Sequence, residues 1–127
     1  MEISFVVDII PIPKGRPRLG RGVTFTPPKT REYESHLKSL FKKEMMEKTF
    51  GALDVPLKVY LEFVLVRPKK PRFIKWPGVR SDIDNYIKAF LDAGNDILWT
   101  DDSLICDIRA IKVYGNKPGI IVKIEEL

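Results

Sequence analysis

Residues 57–66, LKVYLEFVLV, constrain the fold more than any other stretch. Successive side chains of a strand point to opposite faces, so Leu57, Val59, Leu61, Phe63 and Leu65 share one face. That face has to be covered, which calls for a sheet with something packed on it. A chain of 127 residues is of single-domain size and long enough to bury such a core without staples. Cys106, its one cysteine, excludes an internal disulfide framework and a cysteine-based zinc finger.

The remaining pattern supplies the partners. Residues 2–10 read as a first strand, rich in Ile, Val and Phe. The following loop, rich in proline and glycine, has room for a short hairpin at Val23–Thr26. Residues 30–49 read as a helix, with Tyr33, Leu37, Leu40, Phe41 and Met45 at three- and four-residue spacing and Gly51 as its stop. A second helix runs from about 82 to 94, with Ile83, Ile87, Phe90 and Leu91 as its apolar stripe. Ser81 reads as its N-cap, with Asp84 completing a capping box. Strands at 104–113 and 119–125 flank a turn at Asn116, Pro118 and Gly119. The order β-α-β-α-β-β implies one α+β domain over residues 1–127, a mixed sheet with helices packed on it.

The net charge of +5 is unevenly divided. Residues 11–31 carry Lys14, Arg16, Arg18, Arg21, Lys29 and Arg31 with no acid. Residues 67–80 carry Arg67, Lys69, Lys70, Arg72, Lys75 and Arg80, again with no acid. These stretches contribute +12, and the other 92 residues contribute −7. Residues 81–107 hold seven aspartates and one basic residue, Lys88. Basic loops attract polyanions through phosphate contacts and counterion release. Aspartates beside them would repel a phosphate, unless a divalent cation sits between.

Asp82 and Asp84 point the same way if the chain enters the helix extended, with Ile83 packing inward. Asp84 and Lys88 then share a helix face. Asp101 and Asp102 begin a later strand, where a chain reversal can return them to the start of the helix. Carboxylates converging there suit Mg²⁺ or Mn²⁺, which can activate a water and stabilise a leaving oxygen. Lys88 is placed to position the phosphate or neutralise developing charge. A plainer reading competes: aspartates suit a helix start through the dipole, Asp101-Asp102 suits a turn, and Lys88 suits a surface pair with Asp84 or Asp92. The combination with two acid-free basic loops favours the metal.

Other residues carry less. His36 falls off the apolar stripe and reads as a solvated helix residue. Cys106 reads as a small buried strand residue. Gly15, Gly20 and Gly22 do not form a dinucleotide fingerprint, so no nucleotide cofactor is expected. Trp99 and Tyr86 suit either stacking on bases or the core. No apolar run reaches the roughly 18 residues of a membrane span, and the N-terminal run lacks the basic region of a secretory signal. A soluble cytoplasmic protein without membrane contact is the expectation.

The run SDIDNYIKAFLDA followed by ILWTDDSLICDIRAIKVYG closely resembles the RusA family of Holliday-junction resolvases. The family pattern D-[LI]-D-N-x-x-K, then W-x-D-D, falls here on Asp82, Asp84, Asn85, Lys88, Trp99, Asp101 and Asp102. The basic segment PIPKGRPRLGRGVTFTPPKTREYE is similar to the N-terminal loop of many members, so the resemblance spans roughly residues 8–114. It implies that Asp82, Asp84 and Asp102 are metal-binding catalytic aspartates, that Lys88 is the catalytic lysine, and that Asp101 is their acidic neighbour. It further implies a homodimer that uses Mg²⁺ or Mn²⁺ to place paired symmetric nicks in four-way DNA, in recombination and repair. A two-fold protein suits a substrate that can itself be two-fold.

Assigning DNA contacts to Lys14, Arg16, Arg18, Lys29, Arg31, Lys69, Lys70, Arg72, Lys75 and Arg80 rests on charge rather than on motif. Two alternatives make different predictions. A non-catalytic branched-DNA binder would be indifferent to metal. A nuclease of the same chemistry for flaps, forks or RNA would prefer another substrate in a panel at fixed salt.

Overall fold

A computed structural model describes residues 1–15, 18–20, 23–25, 27–79 and 81–127, with only the backbone of 18–20 and 23–25. The long alternating strand lies inside a four-stranded sheet. Its strands are β1 (Glu2–Val7), β4 (Leu57–Val66), β5 (Ile105–Gly115) and β6 (Gly119–Glu126). The spatial order is β1-β6-β4-β5. β6 is antiparallel to β1 and β4, whereas β4 and β5 are parallel. A separate hairpin joins β2 (Arg18–Gly20) to β3 (Val23–Phe25), close to the short hairpin expected there.

One face of the sheet is apolar and covered. Ile3, Phe5 and Val7 of β1, Leu57, Val59, Leu61 and Phe63 of β4, and Ile120, Val122 and Ile124 of β6 are all buried. They meet α1 (Pro28–Glu47) and α2 (Ile83–Gly94). The α1 stripe is Tyr33, Leu37, Phe41 and Met45, and that of α2 is Tyr86, Ala89, Phe90 and Ala93. Phe41 and Phe90 join the helices edge to face at 4.8 Å between ring centroids. Full burial of side chains this size contributes about 1.5–3 kcal/mol each, so this layer holds the domain together. The α+β class and the β-α-β-α-β-β order follow, with the small hairpin added. No helix among the described residues is long and apolar enough to cross a membrane.

Three local expectations need correction. Helix α1 ends before Gly51: Thr49 adopts φ 58°, Thr49 N–H donates to the Met46 carbonyl, and Phe50 N–H donates to the Met45 carbonyl. This is a Schellman closure with threonine where glycine is usual. At the start of α2, Asp82 rather than Ser81 is the N-cap, and no side-chain cap hydrogen bond forms. Cys106 is exposed, because the β4–β5 register passes from Leu57–Ile105 to Lys58–Asp107 and leaves it as the extra residue of a bulge.

Candidate functional site

A parallel pair of strands decides where the aspartates lie. To connect β4 to β5, the chain must return from the end of one strand to the beginning of the next. Helix α2 makes this return, so it runs opposite to both strands. Its start lies beside the late residues of β5, where Lys112 Nζ donates to the carbonyls of Val79 at 3.0 Å and Ser81 at 2.8 Å. Its end lies beside the beginning of β4, where Thr100 N–H donates to the Leu53 carbonyl at 2.9 Å. The Thr100 hydroxyl also donates to Asp54 Oδ1 at 2.7 Å.

Asp82 and Asp84 line one open cleft together with Arg72, Gly78, Val79, Ile83 and Lys112. Both aspartates are exposed. Neither forms an ion pair or side-chain hydrogen bond among the described residues, so helix capping does not consume their carboxylates. The segment entering α2 is extended at Asp82 (φ −67°, ψ 141°), which lets the two acidic side chains flank Ile83. A high-charge cleft of two carboxylates and two cations is suited to holding a phosphate through an intervening cation.

Asp101 and Asp102 belong to the other end of α2. Asp102–Leu104 form a short 3-10 turn just before β5, capped by Asp101, whose Oδ2 accepts from Ser103 N–H at 3.1 Å. That hydrogen bond holds the Asp101 carboxyl below its ordinary pKa. From Asp84 to the end of α2 the helix rises about 15 Å. The expected return of Asp102 to the helix start therefore does not occur within one chain. The parallel crossover forbids it. Among the described residues, no group of three His, Cys, Asp or Glu side chains is arranged to hold a metal. Asp82 and Asp84 suit a hard divalent cation in kind, and one copy of the chain falls short of the three-aspartate set in number.

Lys88 is exposed and forms no ion pair among the described residues; the expected pairs with Asp84 and Asp92 do not form. Asp92 instead binds Lys14 at 3.2 Å, and Lys14 also binds Glu34. The Lys14 side chain is only 16% exposed. Burial alone would lower its pKa, and the hydrogen bonds to Glu34 and Asp92 outweigh that and raise it. Lys14 is thus held by carboxylates rather than presented to DNA, and it differs from its expected role. Its N–H donates to the Asn85 carbonyl at 2.8 Å, tying the N-terminal loop to the first turn of α2. Lys29, Arg31, Lys69, Lys70, Arg72 and Lys75 are exposed. Arg16 and Arg80 lie outside the described residues, as does the side chain of Arg18. His36 is exposed on α1 as expected.

The aromatic candidates are redistributed. Trp99 is 0% exposed and Tyr86 is buried, so both belong to the core. The exposed rings are Phe73 at 44% and Trp76 at 51%, with Ile74 and Val79 beside them in sequence. The Arg72 guanidinium lies 5.2 Å from the Phe73 ring centroid, and the Lys75 ammonium 5.7 Å from that of Trp76. The run PRFIKWPGVR, apolar and basic residues mixed between prolines, carried the signal for them. Lys112 had none, since its role depends on a contact across 31 residues.

The chain matches the family model described as endodeoxyribonuclease RusA over residues 8–125. It is similar to the uncharacterized protein YqaN of Bacillus subtilis (strain 168), 26% identical over 137 aligned positions covering 98% of this chain and 96% of that protein. It is also similar to the crossover junction endodeoxyribonuclease rusA of Lactococcus phage r1t, 34% identical over 86 positions covering 67% of this chain and 62% of the phage protein.

Proposed function

Because the chain belongs to the RusA family of endodeoxyribonucleases, we propose that it resolves Holliday junctions by paired nicks, as a divalent-metal-dependent homodimer acting in recombination and repair. The observation that carries this reading is the cleft at the start of α2. There, Asp82 and Asp84 stand uncapped beside Arg72 and Lys112, at the end of a basic loop with exposed aromatic rings.

Asp82 and Asp84 of one copy, with Asp102 from a second, form the metal-binding set. A two-fold pair with antiparallel α2 helices sets the Asp102 end of one helix beside the Asp82 end of the other. Bound there, Mg²⁺ or Mn²⁺ supplies an activated water and charge neutralisation at a scissile phosphate. Asp82 and Asp84 hold their negative charge without competition from helix N–H groups. Lys88, one turn beyond Asp84, projects a cation toward the developing phosphate charge. Lys69, Lys70, Arg72 and Lys75 bind the backbone and read shape rather than sequence. Phe73 and Trp76 offer π-faces to bases unstacked at the branch point.

The test is Asp82→Asn on a labelled four-way junction with Mg²⁺ at fixed salt. Nicking falls by at least about 100-fold, as for loss of a metal ligand, while junction affinity is retained. Equal loss of binding and cleavage would mark Asp82 as structural instead. Linear duplex, flap, fork and RNA substrates in the same assay separate junction resolution from a related nuclease. Metal-independent junction binding with no nicking would mark a non-catalytic binder.

A further inference from the structure

We propose that the outer edge of β5 is the seam between two copies of this chain, paired antiparallel about a two-fold axis through Ile108. This deepens the reading above, since it says which surface makes the dimer on which that reading rests. β5 stands at the edge of the sheet order, and its eleven residues pair only with β4 among the described residues. A long open edge is a template for another strand. The Cys106 bulge interrupts it only near its beginning, and the register is regular from Asp107 onward.

The charges on this edge select one register. Asp107 and Arg109 are exposed, and neither is in an ion pair among the described residues. They flank Ile108, which is 39% exposed. Antiparallel pairing centred on Ile108 sets Asp107 opposite the partner's Arg109 and Arg109 opposite the partner's Asp107. Ile108 then meets the partner's Ile108. Centring on Asp107 or Arg109 would oppose like charges, which destabilises a strand pair. Centring on Ala110 would leave both charges opposite apolar side chains. Registers centred between residues would put paired side chains on opposite faces of the sheet.

This register has a consequence at the other end of the molecule. Four residues beyond the axis, the partner's Lys112 comes level with Leu104. Lys112 is the residue that holds the start of α2, and Leu104 closes the turn that carries Asp102. With the axis perpendicular to the sheet, both copies keep their helices on the same face. Each Asp102 therefore lies beside the α2 start of the other copy, where a single chain cannot place it.

Cysteine scanning tests the seam directly. In a Cys106→Ser background, Ile108→Cys is paired with itself. Directly opposed residues sit about 4.5–5.5 Å apart at Cα, inside the range a disulfide spans. Oxidation without DNA should convert most of this variant to a covalent dimer on a non-reducing gel. Arg109→Cys in the same background, two positions out of register with itself, should not link. Arg109→Asp should raise the dimer dissociation constant about tenfold or more in sedimentation, and Asp107→Arg with Arg109→Asp should restore it. A wild-type dimer in which Ile108→Cys fails to link, or in which Arg109→Asp leaves association unchanged, overturns the seam. So does a wild type that stays monomeric. The junction assay is independent: cleavage by a protein that does not link at position 108 removes the seam and keeps the activity, and a linked dimer that never nicks does the reverse.

Discussion

Lys112 Nζ donates to the Ser81 carbonyl at 2.8 Å, joining the middle of β5 to the residue that precedes the Asp82 N-cap. The same ammonium holds the Val79 carbonyl at 3.0 Å. One side chain thus fixes where the basic loop ends and where α2 begins, and leaves its positive charge in the cleft with Asp82 and Asp84. Lys112→Met keeps the apolar stem and removes both charge-assisted hydrogen bonds. Because the site is only partly buried, the expected loss of stability is about 1 kcal/mol, read as a lower urea midpoint with unchanged slope. Limited proteolysis within 67–79 should accelerate as well.

Lys14, clasped by Glu34 and Asp92, gives a pH dependence with a defined sign. Its folded pKa is raised above the ordinary 10.5. The pair therefore contributes fully below that ordinary value and is lost as pH rises through the folded one. Melting temperatures from pH 9 upward should show wild type losing its advantage over Lys14→Met at the alkaline end. At neutral pH that advantage should be about 1 kcal/mol, the upper range for a partly exposed pair. A gap that widens with pH would contradict the assignment.

Gly94 is required by Trp99. A Cβ at Gly94 would lie 2.7 Å from Trp99 Cζ2, and Trp99 is wholly buried against Phe90, 6.4 Å between centroids. Gly94→Ala should cost about 1–3 kcal/mol despite its better helix propensity. Thermal unfolding followed by tryptophan fluorescence would report it.

Thr49 holds φ 58° at the end of α1, where a β-branched residue is strained. Thr49→Gly should stabilise the protein by about 1 kcal/mol, the cost of the left-handed conformation. A calorimetric melt with a higher midpoint is the expected result.

Trp76→Ala removes an exposed ring from the basic loop without touching the core. Its effect should appear in junction affinity, weakened by about 1–3 kcal/mol, the worth of one stacked base. Affinity for intact duplex should change little, because its bases stay stacked. An equal loss on both substrates would assign Trp76 to backbone binding.

Much of this molecule is legible along the chain. The alternation at 57–66 is the whole of β4, and the three- and four-residue spacing of Tyr33, Leu37, Phe41 and Met45 is the buried stripe of α1. Periodicity reports burial directly, because one face of each element must leave water. The aspartate pair at 82 and 84 and the division of charge were legible for the same reason, since charge is local. What periodicity cannot report is direction. Whether β5 runs with β4 or against it depends on how the sheet assembles, and only the tertiary structure shows them parallel. That orientation carries Asp102 to the far end of α2, commits Lys14 to Glu34 and Asp92, and lets Lys112 reach Ser81. The sequence by itself determined which residues are apolar, acidic or basic, and the elements that follow. The packing of a parallel crossover decided which of them meet.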